Sequence, residues 1–363
     1  MKIHAPIYYK DFRCIASKCK DNCCSAGWEI DIDSKTAEFY KNVDGQFGEK
    51  LRKNISETSP CHFILNNHNN CPFWNDKKLC DIYINLGEEH LCQICKDHPR
   101  YYEWFDKNNI KEAGIGLCCE EAARIILSDT RSFEIYEENS MEEDINTIYD
   151  VTLRYNSDLY DYLFSTRDKI FQYFENTDIS LKSKLRNILW YGHTLQQNID
   201  FDLLDDEDII DISITERSNI KPIINYISTL EPNDSQWPNY LKNCSTFESE
   251  FYKNIQAFED SNPEVERYLK NISIYFIWRY FLKGVFDEDI LSKVKFMYVS
   301  VLVLRYLFFC KWFENKKINL DDCIEIVKKY SEEVEYCEDN LIRFAEDSYE
   351  NEIFNTENLL GLC

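Results

Sequence analysis

The pattern of apolar and polar residues changes about 140 residues into the chain. From Ser140 onward, apolar residues recur every three or four positions, as at Leu159, Tyr162, Leu163 and Ile170. This spacing gives a helix one continuous apolar face. Glycine, which weakens helices, occurs only three times in that part of the chain. The pattern therefore predicts an all-helical C-terminal region.

The longest apolar run covers residues 296–310 and contains a single charged residue, Arg305. A helix that spans a bilayer needs roughly 20 consecutive apolar residues, and this run is shorter. We therefore predict a buried core helix here and no membrane association. The aromatic residues of the last hundred positions, such as Trp278, Tyr280, Phe308 and Phe309, are predicted to fill the same helical core.

The first 140 residues lack this helical period. Residues 27–33 alternate apolar and acidic side chains, which predicts a short strand. Asp33 is a favourable N-cap for a helix over residues 35–42. Residues 118–127 read as a helix whose first turn begins at two cysteines. We interpret the remainder of the first 140 residues as loops and short helices that surround a centre.

Together these patterns predict a mainly α protein with two parts. Residues 1–135 are expected to form a cysteine-rich, loop-rich metal or cluster lobe. Residues 136–363 are expected to form an acidic, aromatic-rich helical domain. No linker marks the boundary, which we place within residues 130–145.

The chain carries a net charge of −24, and almost all of it lies after Arg124. Contacts with nucleic-acid phosphates require clustered Lys and Arg, so nucleic-acid binding is not expected. The acidity is read as a solubilising face, with a docking surface for a lysine-bearing protein as the alternative.

Sixteen cysteines dominate the candidate chemistry, and eleven of them lie between Cys14 and Cys119. The N-terminus has no apolar core of a signal peptide, so a cytoplasmic protein is expected, in which thiols stay reduced. Metal ligation is therefore favoured over disulfides. The first cluster of cysteines, which ends at Cys23 and Cys24, has the spacing C-x4-C-x3-C-C. Only Cys92 and Cys95 form a C-x2-C pair.

These spacings disfavour three familiar kinds of site. A zinc finger needs two C-x2-C pairs, and there is one. A radical enzyme using S-adenosylmethionine shows C-x3-C-x2-C, but after Cys19 and Cys23 the third position falls on Ala26. The Gly114-Ile115-Gly116 segment is not followed by the strand and helix of a dinucleotide-type fold. Iron–sulfur clusters accept irregular spacing, so a metal or a cluster remains open.

Other cysteines and the histidines receive weaker assignments. Cys61 and Cys119 are intermediate between predicted metal ligands and structural cysteines. The histidines that lie close enough to compete as ligands are His62, His68, His90 and His98. The cysteines scattered through helical sequence are predicted to be small buried hydrophobic residues: Cys244, Cys310, Cys323, Cys337 and Cys363.

A series of short motifs lies within residues 8–127. They are Phe12-Arg13-Cys14, residues 19–33, Cys71-Pro72-Phe73, Leu79-Cys80, Leu86-Gly87-Glu88, residues 91–100 and residues 117–124. In this order the motifs resemble the flagellin lysine-N-methylase (FliB) family, which is itself related to small cysteine-clustered proteins that chelate zinc or iron. The chain departs from the family pattern at His98, where a tyrosine is expected, and at Cys119, where a proline is expected.

The resemblance implies transfer of methyl groups from S-adenosylmethionine to flagellin lysines by an enzyme that holds a 4Fe–4S cluster. The first alternative is a non-catalytic zinc- or iron-binding protein, with zinc as the alternative metal. The second alternative is a protein that transfers electrons. Carried over by position, the candidate ligands number nine, more than one cluster needs. They are Cys14, Cys19, Cys23, Cys24, Cys71, Cys80, Cys92, Cys95 and Cys118.

No catalytic or donor-binding residue is assigned with this resemblance. Lysine is protonated at neutral pH, with a pKa of ~10.4, and must lose a proton before it attacks a methyl group. Candidates to assist are Glu120 as a carboxylate, Tyr101 as an orienting group and Arg100 as a partner of the donor carboxylate. Weaker alternatives are Asp31, Asp33, Tyr102 and Glu121. For each of them a structural role, such as a helix cap or a salt bridge, is the competing interpretation.

Overall fold

The structure is a computed structural model that describes residues 1–20, 22–25, 27–105, 107–139, 155–205, 207–213 and 219–362. Ala26 and Cys363, which enter the sequence argument, lie outside these residues, as does part of the predicted boundary region. The described chain is mainly helical with one small sheet, which confirms the predicted fold class at that level.

The sheet has four strands in the order β2-β3-β1-β4. Strand β1 pairs in parallel with β3, and the other two pairings are antiparallel. The strands are β1 (Lys2–Pro6), β2 (Arg100–Phe105), β3 (Ile110–Ile115) and β4 (Ile135–Asn139). Strand β3 lies inside the sheet and is buried along its whole length.

The helices before β4 are short. They are α1 (Ser34–Lys41), α2 (Gly45–Lys53), α3 (Asp81–Leu86), α4 (Gln93–Asp97) and α5 (Glu120–Ser128). Single 3-10 turns occupy Ile7–Asp11, Ala16–Lys18, Cys23–Ser25, Glu88–His90 and Lys107–Asn109. The predicted cap of α1 is confirmed, because the Asp33 carboxylate accepts a hydrogen bond from the Thr36 amide at 2.9 Å.

Two local predictions in this part were less accurate. Residues 27–33 form no strand; Asp31 makes an isolated antiparallel bridge with His62. Pro60, which precedes the partner segment, has no amide hydrogen with which to extend the ladder. Helix α5 begins at Glu120 with Cys119 as its N-cap, so the two cysteines precede the helix rather than enter its first turn.

Long helices form the rest of the described chain. They are α6 (Ser157–Glu175), α7 (Leu181–Asp200), α8 (Lys221–Ile227), α9 (Trp237–Cys244), α10 (Glu248–Ser261), α11 (Glu264–Tyr280), α12 (Gly284–Asp287), α13 (Leu291–Asn315), α14 (Leu320–Tyr330), α15 (Glu338–Glu350) and α16 (Thr356–Leu360). A single π-helical turn, Ser331–Glu335, separates α14 from α15. Shorter 3-10 turns lie at Ser245–Phe247, Phe281–Lys283 and Glu352–Phe354.

Helix α13 contains the long apolar run. It is long and apolar enough to cross a membrane, but 78% of its most apolar stretch is buried inside the protein. The prediction of a buried core helix is therefore confirmed. The aromatic residues predicted to fill the helical core are also buried, including Trp278, Tyr280, Phe308 and Phe309.

Two hydrophobic cores divide the buried side chains. The larger contains most of the helices, together with Phe105 of β2, Ile115 of β3 and the apolar face of α5. The buried residues of the smaller core all lie within residues 30–92 and include Tyr40, Phe63 and Cys71. The predicted division into residues 1–135 and 136–363 stays a prediction, because the sheet and α5 share the larger core with the helices.

Candidate functional site

The thiols of Cys23, Cys24 and Cys71, which come from two separate loops, lie together. The backbone amide of Cys71 donates to the carbonyl of Cys24 at 2.8 Å, which fixes the two loops side by side. The Cys24 thiol then makes hydrogen bonds with the thiols of both Cys23 and Cys71. Residues nearly fifty positions apart are thus joined through sulfur.

A second pair of thiols stands at the start of α4. Cys92 is the N-cap of this helix, and the Cys95 amide donates to the Cys92 carbonyl at 3.0 Å. The two thiols are hydrogen-bonded to each other. Cys95 also interacts electrostatically with Cys71 and Cys23, so the pair faces the first three thiols.

Cys80 completes what we call the cysteine group. Its thiol interacts electrostatically with that of Cys71. The group comprises Cys23, Cys24, Cys71, Cys80, Cys92 and Cys95.

Contact between thiols in this group sets their ionisation. Two touching thiols cannot easily both ionise, so one keeps its proton. The hydrogen bond with Cys23 raises the pKa of Cys24, and the hydrogen bond with Cys92 raises that of Cys95. The same bonds lower the pKa of Cys23 and of Cys92. Cys24, Cys71, Cys80, Cys92 and Cys95 all pack in the smaller core, although among the described residues no three thiol sulfur atoms lie within 4.8 Å of one another. The group is an all-thiol donor set of the kind that iron–sulfur clusters or zinc use once the thiols are deprotonated.

Asp33 holds the second thiol pair in place. One oxygen of its carboxylate caps α1, and the other accepts a hydrogen bond from the Gln93 amide, at 2.9 Å. Burial acts to raise the pKa of Asp33, but the Gln93 and Thr36 amides outweigh it and the pKa is lowered. One carboxylate thus ties the start of α1 to the residue that follows Cys92.

We expect Asp33→Ala to lower the free energy of unfolding by about 1–2 kcal/mol, because a helix cap and a tertiary hydrogen bond are lost together. Urea unfolding measures the change. The matched control is Asp44→Ala, because Asp44 stands at the N-cap position of α2 without a side-chain cap bond. Equal effects of the two variants would contradict the role given to Asp33.

His98 is a half-buried histidine close in sequence to Cys95. Its ring lies 5.7 Å from that of Trp28, centre to centre. Burial, with a smaller contribution from Lys328, lowers the pKa of His98 to about 4. The imidazole is therefore neutral at physiological pH.

His98 makes stability depend on pH. In the unfolded chain the imidazole takes up a proton near pH ~6.5, but in the folded protein only near the lower value. The unfolded state thus binds more protons in this window, so stability falls as the pH drops from about 6.5 to about 4, by ~3 kcal/mol in all. Urea unfolding of His98→Tyr should show a weaker fall than the wild type. The exposed-site variant His68→Tyr should keep the wild-type dependence, and a His98 variant that also kept it would refute the assignment.

The remaining predicted ligands lie outside the cysteine group. Cys14 is exposed. The Cys19 thiol donates to the Glu120 carboxylate at 3.4 Å. Cys118 is buried and its thiol is hydrogen-bonded to Tyr336. Cys119, which the sequence left between ligand and structural cysteine, interacts electrostatically with Cys23 and Cys14.

Three other histidines lie apart from these thiols. The His90 ring stacks on Phe39 at 4.2 Å between ring centres. His62 lies with Glu29 and Asp31, and the ligand atoms of the three are within 4.8 Å of one another. His68 is on an exposed loop. Asp31 therefore belongs to a surface group rather than to the cysteine group.

The three catalytic candidates have different surroundings. Arg100 packs its guanidinium over the Phe12 ring at 5.0 Å. Glu120 accepts a hydrogen bond from the Lys20 amide at 2.7 Å, so it anchors the first cysteine loop. Tyr101 is half-buried, and its buried hydroxyl has no hydrogen-bond partner among the described residues. Burial raises the pKa of Tyr101, which keeps the phenol protonated.

The weaker alternatives have structural partners. Tyr102 Oη lies 3.5 Å from Tyr9 Oη. Glu121 is buried and forms a salt bridge with Arg124 one turn later on α5. These contacts favour the structural interpretation of both residues.

A buried charged network that the sequence did not reveal lies beside Cys118. Glu335, on the π-helical turn, accepts hydrogen bonds from Tyr275 at 2.6 Å and Tyr280 at 3.0 Å. Arg279 of α11 forms an ion pair with Glu335 at 3.0 Å, and the same nitrogen donates to Tyr336. We call this set the Arg279 network.

The glycines of the Gly114-Ile115-Gly116 segment make room for this network. A Cβ atom on Gly114 would overlap the hydroxyl end of Tyr101, and one on Gly116 would overlap that of Tyr336. The segment, which resembled a nucleotide-binding pair only superficially, therefore serves side-chain packing. No other signal in the sequence points to Arg279 or Glu335.

A small cleft, with room for about one water molecule, opens next to the Arg279 network. Apolar walls and charged side chains both line it. Its lining residues are Tyr101, Glu103, Phe105, Glu112, Trp278, Arg279, Leu282 and Lys283.

The fold and this geometry define a mainly helical protein in which thiols from several loops converge. A sequence model described as the FliB lysine N-methylase C-terminal domain matches residues 167–362, more than half of the chain. The chain therefore belongs to the FliB lysine N-methylase family, as the motifs of the N-terminal part predicted.

Curated relatives match a smaller part of the chain. Proteins named Lysine-N-methylase from Salmonella choleraesuis and Salmonella typhimurium are each 27% identical over 150 residues, which is 39% of this chain and 36% of the relative. The chain thus spans about a third of the length of these two relatives. The flagellar biosynthetic protein FliU of Salmonella muenchen is 27% identical over 143 residues, or 37% of this chain and 82% of that protein. No solved structure matches the chain.

Proposed function

We propose that this protein is a lysine N-methyltransferase that transfers methyl groups from S-adenosylmethionine to flagellin in the cytoplasm. The observation that carries the proposal is membership of the FliB lysine N-methylase family. The relatives' names support it, since two are called lysine-N-methylases and one is a flagellar biosynthetic protein.

We further propose that the cysteine group holds a 4Fe–4S cluster. The donor set fits this cofactor, because six thiols from four chain segments converge and four thiolates are needed. Cys24 and Cys71 from the first loops, with Cys92 and Cys95 from α4, are the ligands that the contacts favour. When bound, such a cluster would cross-link the loops that carry these cysteines and place an electron-rich centre there.

The chain's own residues must handle the methyl acceptor. A bond forms between the lysine nitrogen and the methyl carbon while the carbon–sulfur bond of the donor breaks, and S-adenosylhomocysteine leaves. The amine must first lose a proton, and desolvation of a lysine lowers its pKa toward neutrality. Tyr101 keeps its proton, so it is suited to orient the amine by a hydrogen bond rather than to act as the base.

The function is tested directly on flagellin. Anaerobically purified protein is incubated with flagellin, S-adenosylmethionine and a reductant, and flagellin peptides are then analysed by mass spectrometry. We expect lysine-containing peptides to gain the mass of one or more methyl groups. No gain while the cofactor is intact would contradict the proposed function. A reaction without S-adenosylmethionine is the control.

A further inference from the structure

Two short segments of the smaller lobe pair as a narrow ribbon with one apolar face. The Ile32 amide donates to the Cys61 carbonyl at 2.8 Å, and the Phe63 amide donates to the Ile30 carbonyl at 3.0 Å. Ile30, Ile32 and Phe63 are buried in the smaller core. Side chains alternate between the two faces of extended chain, so the residues that lie between these three point away from the core.

Asp31 and His62 lie opposite each other on the outward face of this ribbon. The two backbone hydrogen bonds flank this pair of residues rather than join it, an arrangement that places opposite Cα atoms about 4.5 Å apart with their side chains close together. Glu29, two residues before Asp31, belongs to the same face. Ligand atoms of the three side chains lie within 4.8 Å of one another. The backbone pairing thus gathers two carboxylates and an imidazole at one place.

The distances within this group suit a bound metal ion. Glu29 Oε1 lies 3.5 Å from His62 Nδ1, which is longer than the usual hydrogen bond. Two ligand atoms that each lie about 2.1 Å from one metal ion, at a tetrahedral angle, are about 3.4 Å apart. The hydroxyl oxygens of Ser56 and Thr58 lie 3.2 and 3.4 Å from the same ring nitrogen, so further oxygen atoms line the group.

The two carboxylates carry a negative charge that no basic side chain neutralises. Among the described residues, neither Glu29 nor Asp31 forms an ion pair with a lysine or an arginine. The Glu29 side chain is 67% exposed, whereas that of His62 is 24% exposed. A cation can therefore reach the carboxylates from solvent and keep water ligands on the open side, while the half-buried imidazole provides a fixed nitrogen.

We propose that Glu29, Asp31 and His62 bind one divalent first-row metal ion. Carboxylate oxygens suit hard ions such as manganese, and imidazole suits most of the later ions of the row. The ion would tie the segment before α1 to the segment that carries His62. This site is separate from the cysteine group, because it lies on the outward face of the ribbon whereas the thiols pack in the smaller core. The alternating apolar and acidic residues before α1 thus serve the core on one face and the metal ion on the other.

Manganese tests this site with little competition from the thiols, because Mn²⁺ prefers carboxylate oxygen to sulfur. The protein purified without oxygen is titrated with Mn²⁺, and the free ion is followed by electron paramagnetic resonance. We expect one Mn²⁺ per chain to bind more tightly than any other. Asp31→Asn and His62→Gln should each weaken its binding at least ~10-fold, because one of three protein ligands is lost. Mn²⁺ should also raise the melting temperature of the wild type more than that of either variant.

Matched controls separate this site from the general acidity of the chain. Glu38 is exposed on α1 and His68 is exposed on a loop, so Glu38→Gln and His68→Gln should bind Mn²⁺ as the wild type does. Asp31 is also exposed, and Asp31→Asn should therefore fold normally. The metal site would be overturned if the wild type bound no Mn²⁺ up to about 1 mM, or if Asp31→Asn and His62→Gln bound it as the controls do. Either result would leave the proposed function standing, because methyl transfer to flagellin is measured separately.

Discussion

Replacing Cys24 or Cys95 with serine is expected to remove most of the iron that the anaerobically purified protein carries. Each thiol is hydrogen-bonded to another member of the cysteine group, and Cys24 contacts two of them. Serine cannot supply the soft sulfur donor that iron–sulfur clusters and thiolate metal sites require. Iron is measured per folded chain, and we expect a fall of more than ~10-fold because a ligand thiolate is lost.

The control for these variants is Cys337→Ser. Cys337 is half-buried at the start of α15, in the helical part of the chain. We expect it to retain wild-type iron. If all three variants bound equal iron, the assignment of ligands to the cysteine group would be wrong.

The adjacent cysteines Cys118 and Cys119 provide a finer comparison. The resemblance to the family assigned Cys118 as a ligand, but its thiol lies against Tyr336, whereas that of Cys119 lies toward Cys23 and Cys14. Cys119→Ser should therefore lower iron more than Cys118→Ser. The reverse order would favour the assignment made by position.

A large change in the free energy of unfolding is expected when the ion pair between Arg167 and Glu112 is broken. Arg167 Nη1 and Nη2 donate to the Glu112 carboxylate at 2.8 and 2.5 Å, and the guanidinium packs 4.5 Å from the Trp278 ring centre. The Arg167 side chain is fully buried, and that of Glu112 is 5% exposed. The pair joins α6 to the buried strand β3, so it links the sheet to the helices.

Arg167→Met should lower the free energy of unfolding by about 3–5 kcal/mol, because it leaves the Glu112 charge buried without a partner. Chemical denaturation at neutral pH measures the change. Arg167→Met combined with Glu112→Leu should recover much of the loss, since no buried charge then remains. The exposed pair of Lys253 and Glu250 supplies the control, in which Lys253→Met should change stability by no more than ~0.5 kcal/mol. A single variant at Arg167 as mild as this control would contradict the account.

The sequence predicted the helical part well because its helices bury a continuous apolar face. The run that became α13 and the aromatic residues around Trp278 needed only periodicity and length to be placed. The cysteines of that part followed the same rule: Cys244, Cys310 and Cys323 are buried, whereas Cys337 is half-buried. Local capping chemistry likewise sufficed for Asp33 and α1.

The small sheet was not predicted, because two of its three pairings join strands that are distant in the chain. Strand β1 at the N-terminus joins β3 and β4, more than a hundred residues later. Strand β3 contains Lys111 and Glu112 at buried positions, so it lacks the apolar alternation by which strands are recognised. Only the partner Arg167, contributed by α6, makes the buried Glu112 acceptable.

The candidate site was predicted only in part, because it also depends on contacts between residues that are distant in the chain. Clustering of cysteines along the sequence indicated a metal or a cluster, but not which thiols face one another. Cys118 is hydrogen-bonded to Tyr336, whereas Cys119 interacts electrostatically with Cys23, and this difference depends on how α5 packs. The Arg279 network brings together residues from α11 and from the π-helical turn and the residue after it, and no local pattern connects them.

We propose above all that the cysteine group holds an iron–sulfur cluster in a lysine methylase. Metal analysis combined with spectroscopy is the sharpest test of this proposal. Protein purified without oxygen is assayed for iron, zinc and acid-labile sulfide and examined by absorption and Mössbauer spectroscopy. The account predicts a brown protein with about four iron and about four sulfide per chain and the spectrum of a 4Fe–4S cluster. A colourless protein with stoichiometric zinc and no iron would contradict it.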